Sequence, residues 1–233
     1  MSEALKRKAA ETAAEWIRDG MTLGLGTGST VRHLLDVIAE RRAGGEWRNV
    51  VGVPTSVDTE TRARALGIPL ATLAERPAMD LTIDGADEVD PALRLIKGLG
   101  GALLREKIVA AASAELVIVA DDSKVVERLG TKAPLPVEVD PFGEAIQPAF
   151  LRGLGCEPEQ RMRDGAPFVT DGGNHVLDCR FADGIADPEA LERALAMRPG
   201  IVESGLFLGM ATAAVIAGAD GVRVMRRARE GGR

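Results

Sequence analysis

The sequence predicts an α/β fold: a mostly parallel, doubly wound sheet that carries a small α+β lid subdomain. Three observations lead there. Short apolar runs alternate with helical patterns as far as Gly130, and such alternation builds right-handed crossovers between parallel strands. Glycine-rich or acidic clusters follow three of those runs, as at the ligand edge of an open parallel sheet. Beyond Gly130 the texture changes, with Pro134, Pro136, Pro141 and Pro148 punctuating the chain. The expected division is a Rossmann-like unit over residues 1–130 and 206–233, and a small α+β unit over 131–205.

Taken in order, Glu3 to Arg18 is alanine-rich and free of breakers, so a helix, stopped by Gly20. Met21 to Leu25 is a short strand running into Gly26-Thr27-Gly28-Ser29-Thr30. Val31, Leu34, Leu35 and Ile38 then share one helical face, closed by Gly44-Gly45. Asn49 to Val53 reads as strand, Asp58 to Ala65 as helix and Ile68 to Leu73 as strand. Leu81 to Ile83 is a buried strand ending in Asp84-Gly85-Ala86-Asp87-Glu88. Gly98 to Gly101 opens a helix reaching about Ala112, and Leu116 to Val119 is the next strand. In the second half a helix is expected around Ala145 to Leu154, with strands at Phe168 to Thr170 and His175 to Phe181. Asp187-Pro188 starts a helix, the aspartate as cap and the proline in its first turn. Ala213 to Ala217 and Val222 to Met225, joined at Asp220-Gly221, form a terminal hairpin that returns to the first sheet.

Composition narrows the function. Of 233 residues 45% are hydrophobic and 27% charged, which excludes disordered and fibrous classes. The formal net charge of −6 argues against a nucleic-acid partner. The longest nearly apolar run, Leu206 to Ala219, is too short for a bilayer and holds two glycines, so no membrane partner is expected. The N-terminal stretch lacks the apolar core of a secretory signal, and a cytoplasmic location is expected. Cys156 and Cys179 are too few for a disulfide framework and read as reduced thiols. With only His33 and His175 besides, a His/Cys metal site or a histidine triad has few candidates; all four are assigned structural roles. Carboxylates and lysines therefore come first.

Four clusters hold them. Gly26 to Thr30 offers hydroxyls and backbone N–H groups ahead of a helix, suited to a phosphate. It fits neither the dinucleotide fingerprint, since Ser29 takes the third glycine position, nor a Walker A loop, which needs a lysine there. The same loop also reads as a tight turn capped by Ser29 or Thr30. Asp84 and Asp87 fit sugar hydroxyls, a metal or acid–base work, and equally a solvated turn. Lys97 and Lys124 bring positive charge to the same sheet edge, which favours an anionic ligand. In the helix after Gly101, the charges Arg105, Glu106 and Lys107 interrupt an apolar sequence. The helical neighbours of Glu106 are Ala102, Leu103, Val109 and Ala110, a wall that would desolvate its carboxyl and make it a better base near neutral pH.

GLGTGST, DGADEVD, KGLGGALLREK and ADDSK, in this order and spacing, closely resemble the type A ribose-5-phosphate isomerase family. Pro134 to Val139, Thr170 to Asn174 and the Asp220-Gly221-Val222 turn extend the resemblance over essentially the whole chain. It implies an aldose–ketose isomerase of the non-oxidative pentose phosphate pathway, interconverting ribose 5-phosphate and ribulose 5-phosphate without metal or organic cofactor. It also implies a homodimer or homotetramer. By the resemblance, the substrate-binding segments are Thr27, Gly28, Ser29 and Thr30; Asp84, Gly85, Ala86 and Asp87; and Lys97, Gly98, Leu99 and Gly100, with Lys124 a further contact. Glu106 corresponds to the proton acceptor, with Asp84, Asp87 and Lys97 as its catalytic partners. Leu99 departs from a frequent glycine of the family. A sugar-phosphate-binding regulator, and a coenzyme A transferase or sugar-phosphate deaminase, are the competing readings; the DGAD and KGLGGALLREK segments favour the isomerase.

Overall fold

In the computed structural model, which describes residues 3–227, the chain begins with helix α1 (Glu3–Ala14). There follow β1 (Thr22–Leu25), α2 (Ser29–Ala43), β2 (Val51–Pro54), α3 (Val57–Ala65), β3 (Leu81–Gly85), β4 (Glu88–Val89), β5 (Leu95–Ile96), α4 (Leu103–Ala111) and β6 (Leu116–Asp121). The second half supplies β7 (Leu135–Val139), α5 (Gln147–Gly153), β8 (Glu157–Gln160), β9 (Met162–Arg163), β10 (Ala166–Pro167), β11 (His175–Arg180) and α6 (Pro188–Ala196). It ends with β12 (Ile201–Ser204), β13 (Leu206–Phe207), β14 (Ala213–Gly218) and β15 (Gly221–Arg226).

The main sheet has the order β15-β14-β6-β3-β1-β2. All its pairs are parallel except the β14–β15 hairpin, closed by Ala219-Asp220 with Gly221 at φ 114°. Both faces are buried, as a doubly wound sheet requires. Val117 and Val119 of β6 join Leu23, Leu25, Leu81 and Ile83 in a core against the alanine face of α1 and Leu34, Leu35 and Ile38 of α2. Leu116, Ile118 and Ala120, on the opposite face of β6, pack with Ala214, Ile216, Phe207 and Ala110 of α4. The strand order reverses at β1, whose neighbours are β2 and β3. That reversal opens a crevice at the carboxyl ends of β1 and β3, where doubly wound folds place their ligands.

A four-stranded antiparallel sheet, β12-β7-β11-β8, interrupts this one between β6 and β14. Its core holds Leu135, Val137, Val139, Leu177, Cys179 and Cys156, with Leu191 and Leu195 of α6. Both cysteines are free and buried. Asp187 caps α6, its Oδ1 accepting from Ala190 N at 2.9 Å, with Pro188 in the first turn, as expected. No described helix is long and apolar enough to cross a membrane.

Several elements differ from the sequence reading. The first helix stops at Ala14, four residues early, in a turn of i→i−3 bonds from Glu15, Trp16 and Ile17. Asp19 instead holds Asn49, accepting from its backbone and side-chain nitrogens at 2.8 Å. Ile68 to Leu73 forms a single bridge, Leu70 to Gly52, because Pro69 has no N–H and the Thr72 N–H turns aside to Glu75. Phe168 to Thr170 is not a strand: Thr170 N bonds Asn174 O, closing a loop. Conversely β7, read as a proline-broken stretch, is central in its sheet. Pro136 lies one residue past the last β12 pair, Ser204–Val137, and its carbonyl accepts from Gly205 N at 2.7 Å. The three-stranded sheet β13-β5-β4 was also not anticipated. Residues 1–2 and 228–233, expected in the Rossmann-like unit, lie outside the described residues.

Candidate active site

The loop after β1 is built around a buried carboxylate. Asp84 Oδ1 accepts from the backbone N–H groups of Thr27 (2.9 Å) and Gly85 (2.7 Å). A side chain on Gly26 would place its Cβ 2.2 Å from that same oxygen, so only glycine fits. The Thr27 hydroxyl is taken by a cluster behind the loop, Thr55 and Ser56, each at 2.8 Å. Gly28, at φ 118°, occupies the N-cap position of α2, and no side chain caps that helix. Neither Ser29 nor Thr30 serves as the cap that a plain turn would use; the first turn of α2 lines the crevice, and a helix N-terminus left without a side-chain cap has the donors to hold an anion.

Facing this loop, Lys97 is buried together with its counter-charges. Its Nζ lies 3.0 Å from Asp84 Oδ2, donates to Gly85 O at 2.5 Å and stands 3.4 Å from Glu106 Oε2. Burial acts to depress the ammonium's pKa, but Asp84, Glu106 and Asp87 together outweigh it and hold the value above the ordinary lysine range. The ammonium also sits over the buried ring of Phe207, 5.3 Å from its centroid. Asp87 Oδ2 accepts from Leu99 N at 2.9 Å, tying the second cluster to the third.

Glu106 projects from α4 among Ala102, Leu103, Val109 and Ala110, all four buried, and is itself only 5% exposed. Burial, reinforced by the Asp84 carboxylate, pushes its carboxyl up to about 8 against the opposing pull of Lys97. Its Oε2 makes no hydrogen bond to the described residues. The flanking charges point elsewhere. Arg105 reaches Asp171 (Nη2 to the backbone oxygen, 3.1 Å), and Lys107 reaches Glu203 (2.7 Å) and Glu192 (3.2 Å). A cleft of about 180 Å³ joins these parts, lined by the α2 N-terminus together with Glu106 and Lys97.

Residues 51–221 match the family model described as ribose 5-phosphate isomerase A (phosphoriboisomerase A). The chain is 58% identical over 218 residues to the ribose-5-phosphate isomerase A of Roseiflexus castenholzii, covering 93% of each chain. The chain belongs to the ribose 5-phosphate isomerase A family. Solved relatives agree in fold. The ribose 5-phosphate isomerase of Plasmodium falciparum superposes with a TM-score of 0.94 at 40% identity, covering 97% of this chain and 99% of that one. A D-ribose-5-phosphate isomerase in complex with phospho-erythronic acid gives 0.94 at 37% identity, covering 97% and 100%.

Within this ribose 5-phosphate isomerase A fold, the three expected segments converge on one cleft. Thr27, Gly28, Ser29, Thr30, Gly85, Ala86, Asp87, Lys97, Gly98, Gly100, Glu106 and Lys124 all line it. Two expected residues do not. Asp84 is fully buried behind the wall, its oxygens spent on Thr27, Gly85 and Lys97, and Leu99 turns outward, 39% exposed. Lys6, from α1, also lines the cleft, and sequence reasoning missed it. It lies in an ordinary amphipathic helix beside Glu3, so no local signal marks it. Asp121 lines it too, and the ADDSK cluster contained the signal. Among the described residues no group of three histidine, cysteine or acidic side chains is placed to hold a metal ion.

Proposed function

We propose that this chain interconverts D-ribose 5-phosphate and D-ribulose 5-phosphate by proton transfer through an enediolate, with Glu106 as the base. One observation carries the reading. A buried carboxyl with a near-neutral pKa and an unbonded oxygen shares a cleft with a buried ammonium and an uncapped helix N-terminus. Isomerisation needs these functions together. The base takes a proton from the carbon next to the carbonyl and returns it to the neighbouring carbon. The charge that develops on oxygen is stabilised by the Lys97 ammonium, already oriented by Asp84 and Gly85. The phosphate lies on Gly28 to Thr30, with the Lys6 and Lys124 charges lining the same cleft.

The two aspartates take different parts in this scheme. Asp84 positions Lys97 and the Thr27 loop from behind, while Asp87, which lines the cleft, manages the hydroxyl protons, including those of ring opening. Phospho-erythronic acid, bound by the solved relative, is a sugar-acid phosphate, and its carboxylate resembles the charged oxygens of an enediolate. A regulator that only binds a sugar phosphate has no use for a base held near neutral pKa. We read residues 131–205 as the lid unit beside a catalytic unit of 1–130 and 206–233, supported by the self-contained pairing of β7, β8, β11 and β12. We read the protein as a homodimer or homotetramer, as the family resemblance implies, and as cytoplasmic, on the reading of its two cysteines as reduced thiols. The test is ketose formation from ribose 5-phosphate by the purified protein. Ribulose 5-phosphate is the expected product, and its absence would overturn the reading.

A further inference from the structure

The third substrate segment is a turn held from outside the main sheet. Gly98 to Gly101 is closed by Gly101 N–H to Gly98 O at 2.9 Å. Gly98 and Gly101 have positive φ and Gly100 does not, so the turn is not type II. A flip of the central Leu99–Gly100 peptide separates the two turn types, and glycine at position 100 tolerates both. Something must choose between them.

Arg161, in the link between β8 and β9, makes that choice. Its Nε and Nη2 grip Asp178 of β11 at 2.9 and 2.5 Å, and its Nη1 donates to Gly98 O (2.9 Å) and Leu99 O (3.1 Å). The pair is largely buried, 13% and 21% exposed at the side chains. In a trans peptide the carbonyl and the following N–H point in opposite directions. With Gly98 O held by Arg161, the Leu99 N–H points the other way, to Asp87 Oδ2 at 2.9 Å. With Leu99 O held likewise, the Gly100 N–H is turned away from Arg161, and Gly100 lines the cleft. Phe168 completes the support: it lies 5.7 Å from the Arg161 guanidinium and fills the space a Cβ on Gly101 would need.

We propose that Arg161 is a positioning residue for the isomerisation, fixing two peptide planes so that the Leu99 N–H steadies Asp87 and the Gly100 N–H donates to the sugar. The proposal rests on the isomerase reading. Asp178 orients the guanidinium, and the fork is required, because one group must hold a carboxylate and two carbonyls together.

The experiment compares Arg161→Ala with wild type in three measurements. Ketose formation should lose about 10²-fold in kcat/KM, the scale of a 1 Å misplacement of reacting groups. Competitive inhibition by inorganic phosphate, which reads the Gly28 to Thr30 cradle and not the Gly98–Gly101 turn, should stay within about twofold. Exchange of the Leu99 amide, followed by NMR, should quicken about tenfold or more as its bond to Asp87 loosens. A kcat/KM within about threefold of wild type, unchanged Leu99 exchange, or phosphate inhibition weakened in step with kcat/KM would each overturn the proposal. If the alanine variant does not fold, Arg161→Lys replaces it under the same criteria, since it keeps the charge beside Asp178 but has no fork. Should wild type form no ketose, the isomerase reading fails by itself, and Leu99 exchange still decides the role of Arg161 in the turn.

Discussion

Glu106 shows how a single residue is tuned by what surrounds it. Its carboxyl titrates near 8, so the basic form grows as pH rises through that value. In the free enzyme, kcat/KM should climb with an inflection near 8, well above an ordinary carboxylate; a pH–rate profile checks this. Glu106→Gln should lower kcat by about 10²–10⁴-fold while ribose 5-phosphate still binds, measured by steady-state kinetics and inhibitor binding. The same substitution should stabilise the fold. A carboxyl whose folded pKa is raised binds more protons folded than unfolded, so it loses stability as pH rises from about 4.5 to 8. The thermal midpoint of the Gln variant should exceed wild type by several degrees at pH 8.5 and by less at pH 5. In the loop that lines the same cleft, replacing both Ser29 and Thr30 by alanine should raise KM by an amount equivalent to about 1–3 kcal/mol, with a smaller fall in kcat than for Glu106→Gln. The apolar neighbours of Glu106 made its burial legible in the sequence. Lys97 gave no such sign: nothing local distinguishes a lysine that ends 2% exposed between two carboxylates from one on the surface.

At the scale of elements, α4 is held on both sides of its working residue. Successive helical residues point about 100° apart, so Arg105 and Lys107 leave the helix on either flank of Glu106. Each ends on the chain between β6 and β14: Arg105 on Asp171, Lys107 on Glu192 and Glu203. Together they resist rotation of α4 about its axis, which would swing Glu106 out of the cleft. The double variant Arg105→Met with Lys107→Met should keep its circular-dichroism spectrum and lose about tenfold in kcat, less than the ~10²-fold of a 1 Å misplacement. The three consecutive charges were visible in the sequence, but their partners lie 66 to 96 residues away. Periodicity likewise located α2, whose apolar face repeats locally, and the Asp187-Pro188 cap located α6. Periodicity missed β7 and β12, since a strand that carries Pro136 or charged Glu203 becomes a strand only through its neighbours.

Across the whole molecule, the site exists because the strand order reverses at β1. β1 and β3 are neighbours in the sheet, yet Leu25 pairs with Ile83, 58 residues further along the chain, and Thr27 and Asp84 bond across 57. The antiparallel sheet reaches back over the cleft through Arg161 and Asp171, the latter accepting from Val57 N at the start of α3 at 2.8 Å. All the chemistry assigned to the site is carried by protein side chains and backbone. Activity should therefore survive exhaustive chelation with no nucleotide added, as an assay before and after chelator treatment will show; loss restored by a divalent ion would point to a metal the assignment leaves out.

By itself the sequence revealed the α/β class, the chain order of the main-sheet strands and the residue proposed as the base. Each is encoded locally: alternating apolar runs and helical periods, glycine-rich or acidic clusters after the strands, and an acid set among apolar helical neighbours. Tertiary structure alone decided that Asp84 supports from behind while Asp87 lines the cleft, that Lys6 joins it from α1, and that Arg161 sets the Gly98–Gly101 turn. Those assignments depend on which side of a wall a side chain falls and which distant donor reaches it. No window of sequence contains that information, because it arises only when the strands are brought side by side.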